Sequence, residues 1–232
     1  MTRPAILITR KVFPDVVEHL RQHFDVDHND ADGVLSPAQL IERLQGKVGA
    51  LTTGSERIDG AVAGACPQLR IVANIAVGYN NFDVPALSAA GVLATNTPDV
   101  LTETTADFGF ALLMATARRL TESEHFLRAG QWNRWALDMF AGAEVHGSTL
   151  GIVGLGRIGR AVAEKAPAFG MTVAYTARRD AGLPGAVHMP LDRLLATSDI
   201  VSLHCPMTDE TRHLIDDTAL ARMKRTAYLI NT

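Results

Sequence analysis

The sequence predicts an α/β protein in which parallel strands are covered by helices on both faces. Two observations carry that expectation. Short apolar runs alternate with helical patterns from the N-terminus onward, and one such run passes through a G-x-G-x-x-G turn into an amphipathic helical pattern. The 232 residues are 47% hydrophobic, enough for a substantial core with room for two domains.

Taken in order, residues 5–9, 24–27, 48–52, 70–75 and 92–95 read as strands separated by helical patterns. Ser36-Pro37-Ala38-Gln39 is a helix start, with an N-cap serine, proline at the first helical position and a capping-box glutamine. These elements define a first domain at residues 1–98. Thr97-Pro98-Asp99 breaks the pattern, and a helix is expected from about residue 102 to 120, opening a second domain at 99–232.

The centre of that helix, residues 108–117, is apolar almost all round, so a single buried stripe does not account for it. A core-facing side plus a subunit interface does, which implies a homodimer with Trp132 and Trp135, in the irregular segment that follows, as interface anchors. The alternative is a helix wholly buried within one subunit. Further strands are expected in the glycine-motif run, at 171–175, at 199–203 and at 227–230, about four firm strands after Gly147. A complete doubly wound sheet has more, so its last strands are expected to be missing.

The run Thr149-Leu150-Gly151-Ile152-Val153 leads into Gly154-Leu155-Gly156-Arg157-Ile158-Gly159. Each glycine has a separate use in a dinucleotide site. Gly154 permits the tight turn, Gly156 lets the backbone approach a pyrophosphate, and Gly159 lets helix and strand pack closely. Leu155, Arg157 and Ile158 belong to the same turn, whose helix N-terminus favours phosphate. The motif alone also occurs for purely conformational reasons. Its context strengthens it: Gly170 supplies a helix C-cap and residues 171–175 a second strand.

Where NAD sites place Asp or Glu at the end of that second strand, this chain reads Thr176-Ala177-Arg178-Arg179. Two guanidiniums suit a 2′-phosphate through charge-assisted, bidentate bonds, so NADP is the expected cofactor, with NAD as the alternative. The competing reading makes both arginines solvated loop charges.

The net charge of -3 and the lack of a basic stripe argue against nucleic acid as a partner. No apolar run approaches a membrane span, and Met1-Thr2-Arg3-Pro4 leads into a run too short for a signal-peptide core, so a cytoplasmic location is expected. Cys66 and Cys205 are far apart and lack ligand spacing, and the eight histidines form no ligand cluster, so no metal site is expected.

Together, Gly154-Leu-Gly-Arg-Ile-Gly159, Ser202-Leu-His-Cys-Pro206, Thr208-Asp-Glu-Thr211 and Ile230-Asn-Thr232 resemble the D-isomer-specific 2-hydroxyacid dehydrogenases. Upstream, Asn74-Ile-Ala-Val-Gly78-Tyr-Asn-Asn-Phe-Asp83, Asn96-Thr-Pro-Asp99 and Thr102-Glu-Thr-Thr-Ala-Asp107 fit the same pattern. The resemblance covers almost the whole chain. The arginine pair is most similar to the branch of NADPH-dependent glyoxylate/hydroxypyruvate and 2-ketogluconate reductases.

The resemblance implies a flavodoxin-like substrate domain followed by a Rossmann dinucleotide-binding domain, acting on a small 2-oxo or 2-hydroxy acid. It implies that backbone N–H groups around Val77 and Gly78 receive the substrate carboxylate. Thr104, His204, Cys205, Pro206, Thr211, Asn231 and Thr232 are implied to line the cofactor crevice. The arginine, the histidine acid/base and its carboxylate partner that family members use lie, by the same resemblance, beyond Thr232. No catalytic residue is therefore expected within these 232 residues, and the chain by itself is expected to be inactive. Two rival readings are a formate- or phosphite-type dehydrogenase of the same superfamily and a non-catalytic, dinucleotide-sensing corepressor-like protein.

Overall fold

A computed structural model describes residues 3–232, so Met1 and Thr2 lie outside the described residues. The chain forms two compact units, one ending at Val100 and one spanning Leu101–Thr232.

The first unit alternates strictly: β1 (Ala5–Ile8), α1 (Pro14–Arg21), β2 (Asp25–His28), α2 (Pro37–Leu44), β3 (Gly49–Thr52), α3 (Gly60–Ala65), β4 (Ile71–Asn74), α4 (Val84–Ala89) and β5 (Leu93–Thr95). The strands pair in parallel in the order β2-β1-β3-β4-β5. This is the flavodoxin-like order, and it places a topological switch point between β1 and β3. Leu7, Leu40, Leu44, Val62, Val72 and Leu87 form one buried core with the surrounding helices. Helix α2 begins with the expected capping box: the Ser36 hydroxyl accepts from the Gln39 amide, and the Gln39 side chain accepts from the Ser36 amide.

The second unit runs α5 (Thr102–Ala117), α6 (Leu120–Arg128), β6 (Thr149–Val153), α7 (Arg157–Lys165), β7 (Thr172–Thr176), β8 (Ala186–His188), α8 (Leu191–Thr197), β9 (Ile200–Leu203), α9 (Asp217–Arg222) and β10 (Tyr228–Asn231). Its parallel sheet has the order β10-β9-β6-β7-β8. Counted from β6, that is the Rossmann order with its switch point between β6 and β9. One face is covered by Ala106, Phe110 and Leu113 of α5 with Val162 of α7, the other by Leu194 and Leu195 of α8 with Ala219 of α9. Among the described residues, no helix is long and apolar enough to cross a membrane.

Three local expectations are corrected. The helix expected to reach residue 120 stops at Ala117, because Arg119 adopts a left-handed conformation (φ 53°), and a separate helix, α6, follows. The helix expected to run up to the Gly170 C-cap ends at Lys165 and tightens into a 3₁₀ turn over Ala166–Phe169, where Pro167 has no amide hydrogen to continue it. The sheet also gains a fifth strand, β8.

Candidate functional site

Strand β6 is buried along most of its length and ends in the glycine turn at the switch point of its sheet. Gly154 has φ 93°, and a Cβ there would fall 2.6–2.8 Å from the backbone of His204 and Cys205, so only glycine fits between β6 and the loop after β9. A Cβ on Gly159 would lie 2.1 Å from the Gly154 carbonyl oxygen, which fixes the close approach of α7 to the turn. Gly156 differs: a Cβ there would meet nothing within 4 Å. The outer glycines are required by the protein's own packing, while the middle one faces open space.

Helix α7 starts at that open position. Gly156 is its extended N-cap and offers no side-chain cap, and the first intrahelical bond runs from Arg160 N to Gly156 O at 2.9 Å. The first turn of a helix directs amides without intrahelical partners outward, and these favour an anion together with the helix dipole. Leu155 and Ile158 pack on the core cluster, whereas Gly156 and Arg157 are exposed. These features fit a dinucleotide pyrophosphate.

The facing wall is the segment after β9. The His204 amide donates to Val153 O at 2.8 Å, and Ser202 Oγ lies 2.8 Å from His204 Nε2. Burial holds the His204 imidazole below the usual histidine range, and burial likewise raises the Cys205 thiol. At neutral pH this wall therefore presents a neutral ring and a protonated thiol. Pro206 is exposed. Thr211 Oγ1 donates to Pro206 O at 2.6 Å and accepts from the Thr208 amide at 2.8 Å, which folds the loop back on itself. Its hydroxyl is thereby committed to bracing the loop.

Helix α5 crosses the carboxyl ends of β9 and β10 at Gly109. A Cβ there would come within 3.3 Å of Thr232 Cγ2 and 3.8 Å of His204 Cε1. Thr104 is exposed in the first turn of this helix, which has no side-chain cap, and Asn231 and Thr232 are exposed at the end of the sheet.

Arg178 and Arg179 follow β7 on an exposed loop, and neither guanidinium forms an ion pair among the described residues. The nearby carboxylate is already engaged: Asp180 accepts from the Tyr175 phenol and the Gly182 amide, and the Ala181 amide donates to the Tyr175 oxygen. Those bonds hold the Asp180 carboxyl below the usual carboxylate range. The loop thus presents two cations with its acid turned to the buried Tyr175.

In the first unit, Ala76-Val77-Gly78 follows β4. Its three carbonyls are all taken, Ala76 O by the Thr97 amide at 3.0 Å, Val77 O by Asn96 Nδ2 at 2.8 Å and Gly78 O by Asn74 Nδ2 at 3.0 Å. No acceptor among the described residues engages the amides of Val77, Gly78 or Tyr79. The asparagines that do this work were not assigned a role from sequence. A polar residue closing an otherwise apolar strand, as Asn74 closes Ile71-Val72-Ala73, is the signal that points to one of them.

Residues 110–232 match the family model described as D-isomer specific 2-hydroxyacid dehydrogenase, NAD binding domain. The chain is 46% identical over 237 residues to the glyoxylate reductase of Thermococcus onnurineus, covering 99% of this chain and 71% of that protein. It is 45% identical to the glyoxylate reductase of Korarchaeum cryptofilum, covering 99% and 71%. Among solved structures it is similar to the NADPH-dependent glyoxylate/hydroxypyruvate reductase of Sinorhizobium meliloti in complex with NADP and malonate. That likeness has a TM-score of 0.85 at 34% identity, over 99% of this chain and 71% of the other.

Proposed function

The chain belongs to the D-isomer-specific 2-hydroxyacid dehydrogenase family, an NAD(P)-dependent oxidoreductase family, and we propose that within it this protein is an NADPH-dependent reductase of glyoxylate and hydroxypyruvate, with 2-ketogluconate as a further substrate. The observation that carries the cofactor choice is the exposed Arg178-Arg179 pair, standing where NAD sites place an acid, with Asp180 occupied by Tyr175. The names of the relatives support the substrate class.

When bound, the dinucleotide supplies a hydride to the carbonyl carbon of the 2-oxo acid. The residues of this chain bind and orient. Gly154, Leu155, Gly156, Arg157, Ile158 and Gly159 receive the pyrophosphate on the α7 N-terminus. Thr104, His204, Cys205, Pro206, Thr211, Asn231 and Thr232 bound the cofactor, and Arg178 and Arg179 hold the 2′-phosphate. In the first unit, the outward amides of Val77 and Gly78 hold the substrate carboxylate, an anion-binding concavity of backbone N–H groups. We assign the substrate role to the first unit, the dinucleotide role to the second, a homodimeric state, and a cytoplasmic location.

The test is steady-state oxidation of NADPH and of NADH by the protein as its gene encodes it, with glyoxylate, hydroxypyruvate, 2-ketogluconate, formate and phosphite compared. Faster NADPH-dependent turnover of the first two acids is expected. Turnover confined to formate or phosphite, or dinucleotide binding without turnover of any acid, overturns the reading.

A further inference from the structure

We propose that Asn96 and Asn74 are positioning residues, which aim the amides of Gly78 and Tyr79 at the substrate carboxylate by holding the carbonyls of Val77 and Gly78, while the Thr97 amide holds that of Ala76. The inference rests on the carboxylate-cradle reading above and deepens it by naming what sets the cradle's geometry.

A trans peptide directs its C=O and its N–H to opposite sides of its plane. The structure has no cis peptide among the described residues, so capturing the carbonyls of residues 76, 77 and 78 turns the amides of 77, 78 and 79 the other way. Three consecutive carbonyls, each held by its own partner, fix three peptide planes that a free loop does not keep. Fixing them costs conformational freedom, and it leaves three unpaired donors in succession, which an anion can repay.

The two asparagines are built for the task in different ways. Asn74 is buried, and its amide orientation is fixed by its neighbours. Its Oδ1 accepts from the buried Thr52 hydroxyl at 3.2 Å, while its Nδ2 donates to Gly78 O and, at 3.2 Å, to Asn81 Oδ1. Asn81 in turn donates to the carbonyls of Glu56 at 2.9 Å and Thr53 at 3.1 Å. This satisfied buried network ties the loop to the ends of β3 and β4, and a network of that kind specifies a geometry more than it adds stability. Asn96 is partly exposed, lies just past β5, and makes a single bond to Val77 O. Removing that donor releases the carbonyl paired with the Gly78 amide without opening the core.

Asn96→Asp keeps the size of the side chain and replaces the donor by an acceptor facing Val77 O. In the ¹⁵N-labelled protein titrated with oxamate, a carboxylate analogue of a 2-oxo acid, the amide signals of Val77, Gly78 and Tyr79 should move on binding. Asn96→Asp and Asn96→Ala should weaken that binding by about tenfold, the equivalent of one charge-assisted hydrogen bond, with signals elsewhere in the first unit unchanged. A role for the side chain only as filler predicts that the isosteric Asp variant binds like wild type. In the protein as encoded, the same variants should raise KM for glyoxylate more than they lower kcat. Oxamate leaving the three amides unmoved in the wild type overturns the cradle reading and this inference with it. Movement in the wild type with unchanged affinity in Asn96→Asp overturns this inference alone.

Discussion

The carbonyl oxygen of Gly154 occupies the space in which a side chain on Gly159 would have to begin, with only 2.1 Å between that oxygen and the Cβ position. Gly156, between them in sequence, has nothing within 4 Å of its own Cβ position. The fingerprint therefore mixes glycines that the fold's own packing requires with one that it does not.

That difference separates two otherwise similar substitutions. Gly159→Ala must push α7 away from the turn, and overpacking of this kind costs about 1–3 kcal/mol, so its denaturation midpoint should fall. Gly156→Ala has room and an ordinary backbone conformation (φ -77°), so its stability should match wild type while its methyl stands where the pyrophosphate approaches. Dinucleotide binding should weaken about tenfold or more in a protein that unfolds normally. Equal midpoints for the two variants, or unaltered binding by Gly156→Ala, would contradict the division.

Cofactor choice is tested on the loop after β7. Replacing Arg178 and Arg179 together by Ala should remove most of the preference for NADPH, weakening it about tenfold while NADH affinity stays constant, because only the 2′-phosphate loses partners. Titration by the quenching of protein fluorescence measures both. Wild-type affinities that are equal for the two cofactors would refute the assignment.

Much of this was legible in the sequence because buried parallel strands announce themselves as short apolar runs between breakers, and because backbone crowding is recorded as glycine. Strand β8 escaped because it is a three-residue edge strand with Val187 and His188 exposed, leaving little apolar pattern to read. Helix α6 escaped because it has no fully buried residue, and its separation from α5 depends on the left-handed Arg119. The asparagine relay escaped for another reason. Thr52 to Asn74 and Val77 to Asn96 are pairs about twenty positions apart, brought together by the parallel pairing of neighbouring strands and by the loops that follow them. No local spacing encodes such a bond.

The surface of the second unit motivates a prediction about assembly. Phe108 is 59% exposed on α5, and Trp132 and Trp135 are 56% and 74% exposed in the segment after α6. Helix α5 thus carries an exposed aromatic side chain in this chain, and exposed aromatic side chains that lie together can anchor an interface. Sedimentation at micromolar concentration should find a dimer, and Phe108→Glu combined with Trp135→Glu should shift it to monomer. A wild-type monomer over that range would contradict the prediction.

His204 gives the second unit a dependence on pH whose sign is fixed by burial. Its imidazole titrates below the usual histidine value of 6.5 because protonation would place a charge in a site that water reaches poorly. The unfolded chain therefore takes up the proton more readily than the folded one. The stability associated with neutral His204 is complete above its unfolded value and declines as pH falls through it, levelling off once the pH is below the folded value. Ser202 Oγ, 2.8 Å from Nε2, can pair with the neutral ring. Other groups titrate over the same range, so the informative quantity is the difference from His204→Gln, which retains a hydrogen-bonding amide but does not titrate. Between about pH 7.5 and pH 5.5, thermal unfolding should show a larger drop in Tm for wild type than for His204→Gln. Parallel curves would mean that His204 keeps an ordinary pKa, and a smaller drop in wild type would mean that the ring is stabilised as a cation, reversing the sign argued from its burial.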